Sequence, residues 1–177
     1  MIRRPPRSTR KESSAASDVY KRQMKYNVVA LGGTFDIIHI GHITLIEKAA
    51  SISEKIIIGL TSDSYIQKTG KNIQNHYSIR YENLSKIIHE KFLNTTFEIV
   101  ELNDDFGPAV SEGNVDALVA SEETANKITT LNTIRIKSLN LKPIDLVMVP
   151  MKLASDGDRI SSTRIRNSEI DIQGNIC

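Results

Sequence analysis

Apolar residues in this chain fall into short β-branched runs separated by stretches with helical spacing, and the alternation repeats from about residue 25 onward. Residues 26–31 (YNVVAL) form such a run and end in Gly32-Gly33, the pattern of a buried parallel strand entering a tight turn. Residues 40–52 then place Ile43, Ile46, Ala49 and Ala50 on one helical face. Residues 55–60 (KIIIGL) predict a second strand, 78–92 a second helix and 97–102 a third strand. Between 103 and 112, Asp104, Asp105, Gly107 and Pro108 predict a loop with a short helical turn. Residues 115–120 (VDALVA) predict a fourth strand, 122–139 one long helix, and 144–149 (IDLVMV) a fifth strand closed by Pro150.

Strands alternating with helices of this length predict a Rossmann-like single α/β domain, with a five-stranded parallel sheet covered by helices on both faces. Sheets of that kind bind ligands beyond the carboxyl ends of their strands. The loops starting near Gly32, Thr61, Leu102, Ser121 and Pro150 should therefore converge on one cleft. A length of 177 residues suits one domain with a substantial core better than two. No stretch approaches 18 uninterrupted apolar residues, so the pattern predicts no membrane span. The single cysteine, Cys177, leaves no internal disulfide and no thiolate metal cluster to expect. With no apolar secretory stretch near the N-terminus, a cytoplasmic location is the expectation.

Charge changes the picture only when divided by position. The net charge is +2, yet residues 1–23 hold seven basic and two acidic residues, a balance of +5 that leaves the rest of the chain at −3. These first residues combine Arg, Pro and Ser without apolar periodicity and read as a basic tail outside the fold, of the kind left by translated adapter sequence, with the domain at 24–177. A functional nucleic-acid-binding tail or a transit peptide is the competing reading, weakened by Glu12 and Asp18. A negative body argues against a broad nucleic-acid-tracking surface and leaves room for a local basic pocket.

Two clusters carry the candidate chemistry. The first is Gly32-Gly33-Thr34-Phe35-Asp36 followed by His39-Ile40-Gly41-His42. Glycines after a buried strand let the backbone approach a ligand and adopt positive φ, and the helix starting near His39 aims free N–H groups at the same space. His39 and His42, three apart, share a helical face, where imidazoles can donate to a phosphate. Gly41 removes a side chain where a nucleotide would lie, and Thr34 adds a hydroxyl. The plainer alternative is a pair of helix-cap histidines beside a simple turn. The second cluster, Ile160-Ser161-Ser162-Thr163-Arg164-Ile165-Arg166, offers hydroxyls at a helix start and a planar guanidinium in Arg164, although a capped surface helix has the same look. Lys68, Lys71 and Arg80 follow the second strand in the loop expected to overhang the cleft, where one lysine would suit a second phosphate-bearing substrate. Asp36, Asp63, Asp104 and Asp105 fit turns and helix starts better than a protein-held metal site.

The runs GGTFDIIHIGH and ISSTRIR together resemble the signature pair of the HxGH nucleotidyltransferases. The stretches IIIGLTSDSYIQK, EIVELNDDFGPAV and VDALVASEET make the chain similar to the archaeal and eukaryotic phosphopantetheine adenylyltransferases within that group. The resemblance implies transfer of AMP from ATP, accompanied by Mg²⁺, to 4'-phosphopantetheine. It implies that Thr34, His39 and His42 hold the α-phosphate region and that His42 matters most in the transition state. Ser161, Ser162 and Thr163, with Arg164 assisting, would hold the β- and γ-phosphates. Lys68 or Lys71 would orient the acceptor, and Arg80 matches a basic position before the second helix. A cytidylyltransferase, an NMN adenylyltransferase or a nucleotide-binding protein without turnover would keep the same clusters.

Overall fold

Five strands, β1 (Tyr26–Gly33), β2 (Ser53–Thr61), β3 (Thr96–Leu102), β4 (Ala117–Ser121) and β5 (Asp145–Val149), pair in parallel in the order β3-β2-β1-β4-β5. This computed structural model describes residues 25–177, so the tail expected at 1–23 and the domain start at Met24 lie outside the described residues. Strands at the centre of a parallel sheet are covered on both faces and must be apolar on both. On one face Val29, Leu31, Ile56, Ile58 and Leu60 pack against Ile46 and Ala49 of α1 (Ile40–Ile52). Leu84 and Ile88 of α3 (Tyr77–Lys91) join the same cluster. On the other face Val28, Ala30 and Ile57 meet Ala109 of α4 (Pro108–Ser111) and Leu131 of α6 (Ile128–Ser138). The expected doubly covered α/β sheet is what the chain forms. Among the described residues no helix is long and apolar enough to cross a membrane.

The strand order reverses between β1 and β4, which opens a crevice at their carboxyl ends. The approach to that crevice differs from the expectation. Gly32 and Gly33 stay in β1, opposite Gly59 and Leu60 of β2, and neither has positive φ; the left-handed residue is Phe35, at φ 48°. Small size is what the glycines contribute, because a Cβ at Gly33 would lie 3.0 Å from Phe35 Cε2 and one at Gly32 would lie 3.2 Å from Leu102 Cδ1. β4 begins at Ala117, and just before it the Asp116 carboxylate accepts from Asn27 N at 2.8 Å and Val28 N at 2.9 Å while the Asp116 N–H donates to Val28 O at 2.9 Å.

Two helical boundaries also depart from the pattern. The unanticipated α2 (Asp63–Thr69) is capped by Ser62 Oγ, which accepts from Tyr65 N at 3.1 Å, and is stopped by Gly70 at φ 67°. The long helix expected at 122–139 is divided into α5 (Glu122–Ala125) and α6. Lys127 N bonds Thr124 O at 3.1 Å, a tightened turn that breaks the ladder, while Asp105 holds Lys127 Nζ at 2.6 Å.

Arg135, 1% exposed, fixes α6 against α4. Its Nη1 donates to Ala109 O at 2.8 Å, Val110 O at 3.1 Å and Glu112 O at 2.9 Å, and its Nε donates to Lys142 O at 2.8 Å. Terminal helix carbonyls have no partner in their own ladder, and here a guanidinium supplies one. Arg135→Met should lower the unfolding free energy by about 3 kcal/mol, by stranding buried carbonyls. Urea denaturation checks this, and a loss below about 1 kcal/mol would mean the carbonyls find other partners.

Candidate active site

A cavity of about 850 Å³ opens where the five strands end, and each of the five loops expected to converge there contributes to its wall. Five cations, Lys71, Lys127, Lys152, Arg159 and Arg166, face it along with four carboxylates. Asp36 is paired with Arg166, Asp105 with Lys127 and Glu123 with Arg159. Asp104 accepts the N–H groups of Phe106 and Gly107. Lys71 and Lys152 have no ion-pair partner among the described residues. A chain body of net negative charge thus presents a locally cationic cleft.

Gly32, Gly33, Thr34, His39, Gly41 and His42 all line this cavity, and Phe35 lies beneath it, buried. The positive φ of Phe35 turns the chain so that its ring meets that of His42, centroids 4.8 Å apart. His39 and His42 stack with centroids 3.9 Å apart. His39 occupies the N-cap position of α1 but makes no side-chain cap bond, and the Nδ1 atoms of both histidines are buried without a partner among the described residues. A pair of cap histidines would show the opposite. A Cβ at Gly41 would come within 3.1 Å of His39 Cε1 and Nδ1, so that glycine clears the ring as well as the cavity. One expected donor is taken, since Ile40 N bonds Ile172 O at 2.9 Å.

The second cluster meets the first directly. Ser162 Oγ donates to Ile37 O at 3.1 Å and accepts from Ile37 N at 3.3 Å, tying α7 (Ser162–Arg166) to the first loop. Ser161 is the cap, its Oγ accepting from Arg164 N at 3.4 Å, and Thr163 Oγ1 accepts from Arg166 Nη2 at 3.1 Å. All three hydroxyls line the cleft. Ser162 also serves as a strut between the two clusters.

The basic positions divide in a way the chain order conceals. Lys71 lines the cleft, whereas the exposed Lys68, one helical turn earlier in α2, does not. Arg80 is turned inward at 0% exposure, with Nη1 on Thr34 O at 2.7 Å, Nε on Asn75 O at 3.0 Å and Nη2 on Asp63 at 2.7 Å. The structure therefore brings it beneath the loop instead of to a ligand. Arg164 points out of the cleft to Asp156, and to Glu169 at 3.0 Å. Arg166 is the arginine of α7 that faces the cavity, and sequence reasoning passed it over. The signal was present, for Arg166 stands four residues after Ser162 and three after Thr163 and so shares their helical face. Among the described residues no group of three or more His, Cys, Asp or Glu gathers to hold a metal ion.

A doubly covered sheet whose strand order reverses at a cleft of imidazoles, hydroxyls and cations defines a nucleotide-binding α/β protein equipped for phosphate chemistry. The chain belongs to the Cytidylyltransferase-like family, whose model matches residues 30–168. It is 37% identical over 152 residues to the phosphopantetheine adenylyltransferase of Methanothermobacter thermautotrophicus, covering 86% of this chain and 90% of that protein. It is 43% identical over 148 residues to the protein of the same name from Methanosarcina acetivorans, covering 82% and 93%. Among solved structures, a protein of unknown function from Archaeoglobus fulgidus superimposes with a TM-score of 0.57 at 31% identity, covering 69% of this chain and 97% of that one.

Burial pushes the His39 imidazole down to about 4. It pushes His42 down to about 3, helped by the neighbouring His39 and opposed by the Ile37 backbone. Near neutral pH both rings are uncharged and act as hydrogen-bonding groups. Because the folded values are depressed, the unfolded chain binds more protons below the ordinary histidine value of 6.5, so stability is lost as pH falls from there toward 4. Thermal unfolding of the unliganded protein between pH 7 and 4.5 should show this decline. The double variant His39→Gln, His42→Gln should flatten it, and an unchanged slope in that variant would assign the decline to other groups.

Proposed function

We propose that this chain transfers AMP from ATP to 4'-phosphopantetheine, giving dephospho-coenzyme A and pyrophosphate. The observation that carries the reading is the meeting of the stacked histidine pair and the Ser161–Thr163 hydroxyls across one cleft, joined by the Ser162–Ile37 bonds. The names of the relatives point to the acceptor.

A phosphate monoester is already an anionic nucleophile near neutral pH, so the step needs no relay to deprotonate a hydroxyl. The task is to bring two anions together, align them with the α-phosphorus, and stabilise the charge that moves onto the pyrophosphate. His42 and His39, neutral and with Nδ1 atoms that have no partner among the described residues, offer hydrogen bonds at the α-phosphate without a strong fixed charge that would trap the product. Thr34 stands beside them on the cleft wall. Ser161, Thr163 and Arg166 line the same cleft and suit the β- and γ-phosphates. Lys71, exposed and without an ion-pair partner among the described residues, suits the acceptor phosphate.

Mg²⁺ would enter with ATP and would supply charge neutralisation to its phosphates. Carboxylates that face the cleft are engaged by Lys127, Arg159, Arg166 or backbone N–H groups, which fits an ion that keeps its water and phosphate ligands better than a protein-held one. Both substrates are multiply charged and water-borne, which goes with a cytoplasmic location.

With ATP, Mg²⁺ and 4'-phosphopantetheine the protein should release pyrophosphate, and replacing ATP by CTP or the acceptor by NMN should abolish most of it. Faster release with either replacement would overturn the assignment. His42→Ala should lose about 10² to 10³ in kcat with the fold intact by circular dichroism. A variant retaining more than half of the wild-type turnover would give His42 another role. Lys71→Ala should raise KM for the acceptor at least tenfold, in the range of one lost charge-assisted bond, while Lys68→Ala leaves it near wild type. The reverse result would exchange the two lysines.

A further inference from the structure

Asp36 stands out because its chemistry opposes the ligand's. A carboxylate at the wall of a triphosphate cavity repels what the cavity is meant to hold, and at 2.5 Å from Arg166 Nη1 it offsets much of that guanidinium's charge. Placed there for electrostatics alone, it would weaken nucleotide binding. Its contacts are geometric in character. The carboxylate is 3% exposed, and its partners come from two separate parts of the chain. Gln74 N donates to both oxygens at 3.1 and 3.0 Å, and Asn75 N and Nδ2 donate to Oδ1 at 2.9 and 3.4 Å. The other partner is Arg166, 130 residues away in α7.

These partners belong to two segments, far apart in the chain, that meet on one carboxylate at the cavity wall. Arg166 faces the cavity next to Ser162 and Thr163. Lys71, Asn72 and Ile73, immediately ahead of Gln74, line the same cavity. The same segment is gripped from beneath, where Arg80 Nε donates to Asn75 O at 3.0 Å. A buried charge strongly resists losing its partners, so Asp36 keeps Arg166 and the 74–75 backbone at fixed distances from itself and from each other.

We propose that Asp36 is a positioning residue that sets the separation between the two substrates. Through Arg166 it fixes the side that takes the nucleotide's phosphates, and through Gln74 and Asn75 it fixes the segment that carries Lys71 to the acceptor. The inference rests on the two-substrate transferase reading of the cleft. In-line transfer is sensitive to such a separation, because a misplacement of about 1 Å costs about 10²-fold in rate.

Steady-state kinetics with both substrates, ATP calorimetry without acceptor, and thermal unfolding test the idea. Asp36→Asn should lower kcat about 10²-fold and raise KM for both substrates. Arg166→Gln should raise KM for ATP alone, and Asn75→Ala should raise KM for the acceptor alone. In calorimetry, adding Asp36→Asn to Arg166→Gln should weaken ATP binding no further than Arg166→Gln does by itself. Loss of stability in Asp36→Asn with kcat unchanged would overturn the proposal, as would effects on ATP affinity that multiply in the double variant. Should Asp36→Asn not fold, the remaining pair decides, for Arg166→Gln and Asn75→Ala moving both KM values equally, or neither, also overturns it. Wild-type protein that binds ATP but does not adenylylate 4'-phosphopantetheine would instead sink the assigned activity, and the calorimetric cycle would still judge the Arg166 arm.

Discussion

Two full charges lie at the end of β1 beyond the reach of water, Arg80 at 0% and Asp36 at 3% exposure, and the cleft is built so that neither is left alone. A buried charge without partners is worth several kcal/mol of instability, so each recruits backbone as well as side chains. Arg80 takes carbonyls from Thr34 and Asn75 and the carboxylate of Asp63. Asp36 takes the N–H groups of Gln74 and Asn75 and the guanidinium of Arg166. The Asn75 residue is therefore held by its N–H on one charge and by its C=O on the other. That double hold makes the first loop, the segment after α2 and the last helix behave as one body around the cavity.

Against this rigid floor, the charges nearer solvent are lightly committed. The Asp105–Lys127 and Glu123–Arg159 pairs join half-exposed side chains, where an ion pair contributes about 1 kcal/mol or less. A phosphate arriving in the cleft can draw such cations away from their carboxylates at small cost. Arg166, whose partner is buried, is far less free to exchange, and so it suits a fixed reference for the nucleotide. The histidine pair completes the contrast. Packed together and uncharged at neutral pH, the two rings add directional hydrogen bonding where a permanent positive charge would hold pyrophosphate too well.

Much of this protein was legible along the chain. The five strands and the bounds of α1 follow from apolar period, and the convergence of the first and last clusters from the rule that such sheets bind ligands beyond the carboxyl ends of their strands. Even the turn of α2, which went unread, is written locally in Ser62 and Gly70, and the facing of Arg166 in its helical spacing. Period and spacing report which side of an element is apolar, and that is a local property.

Other features were decided only when distant parts of the chain met. Nothing near Arg80 in sequence tells a phosphate ligand from a buried brace, because the choice depends on Thr34 and Asp63 closing over it. Asp36 looks like any turn carboxylate until Arg166 reaches it from 130 residues away. Hydrophobic burial is encoded residue by residue, and so the sequence by itself determined the sheet and its helices. The role of a charge is set by the partners and the water around it, and only the folded chain assembles those.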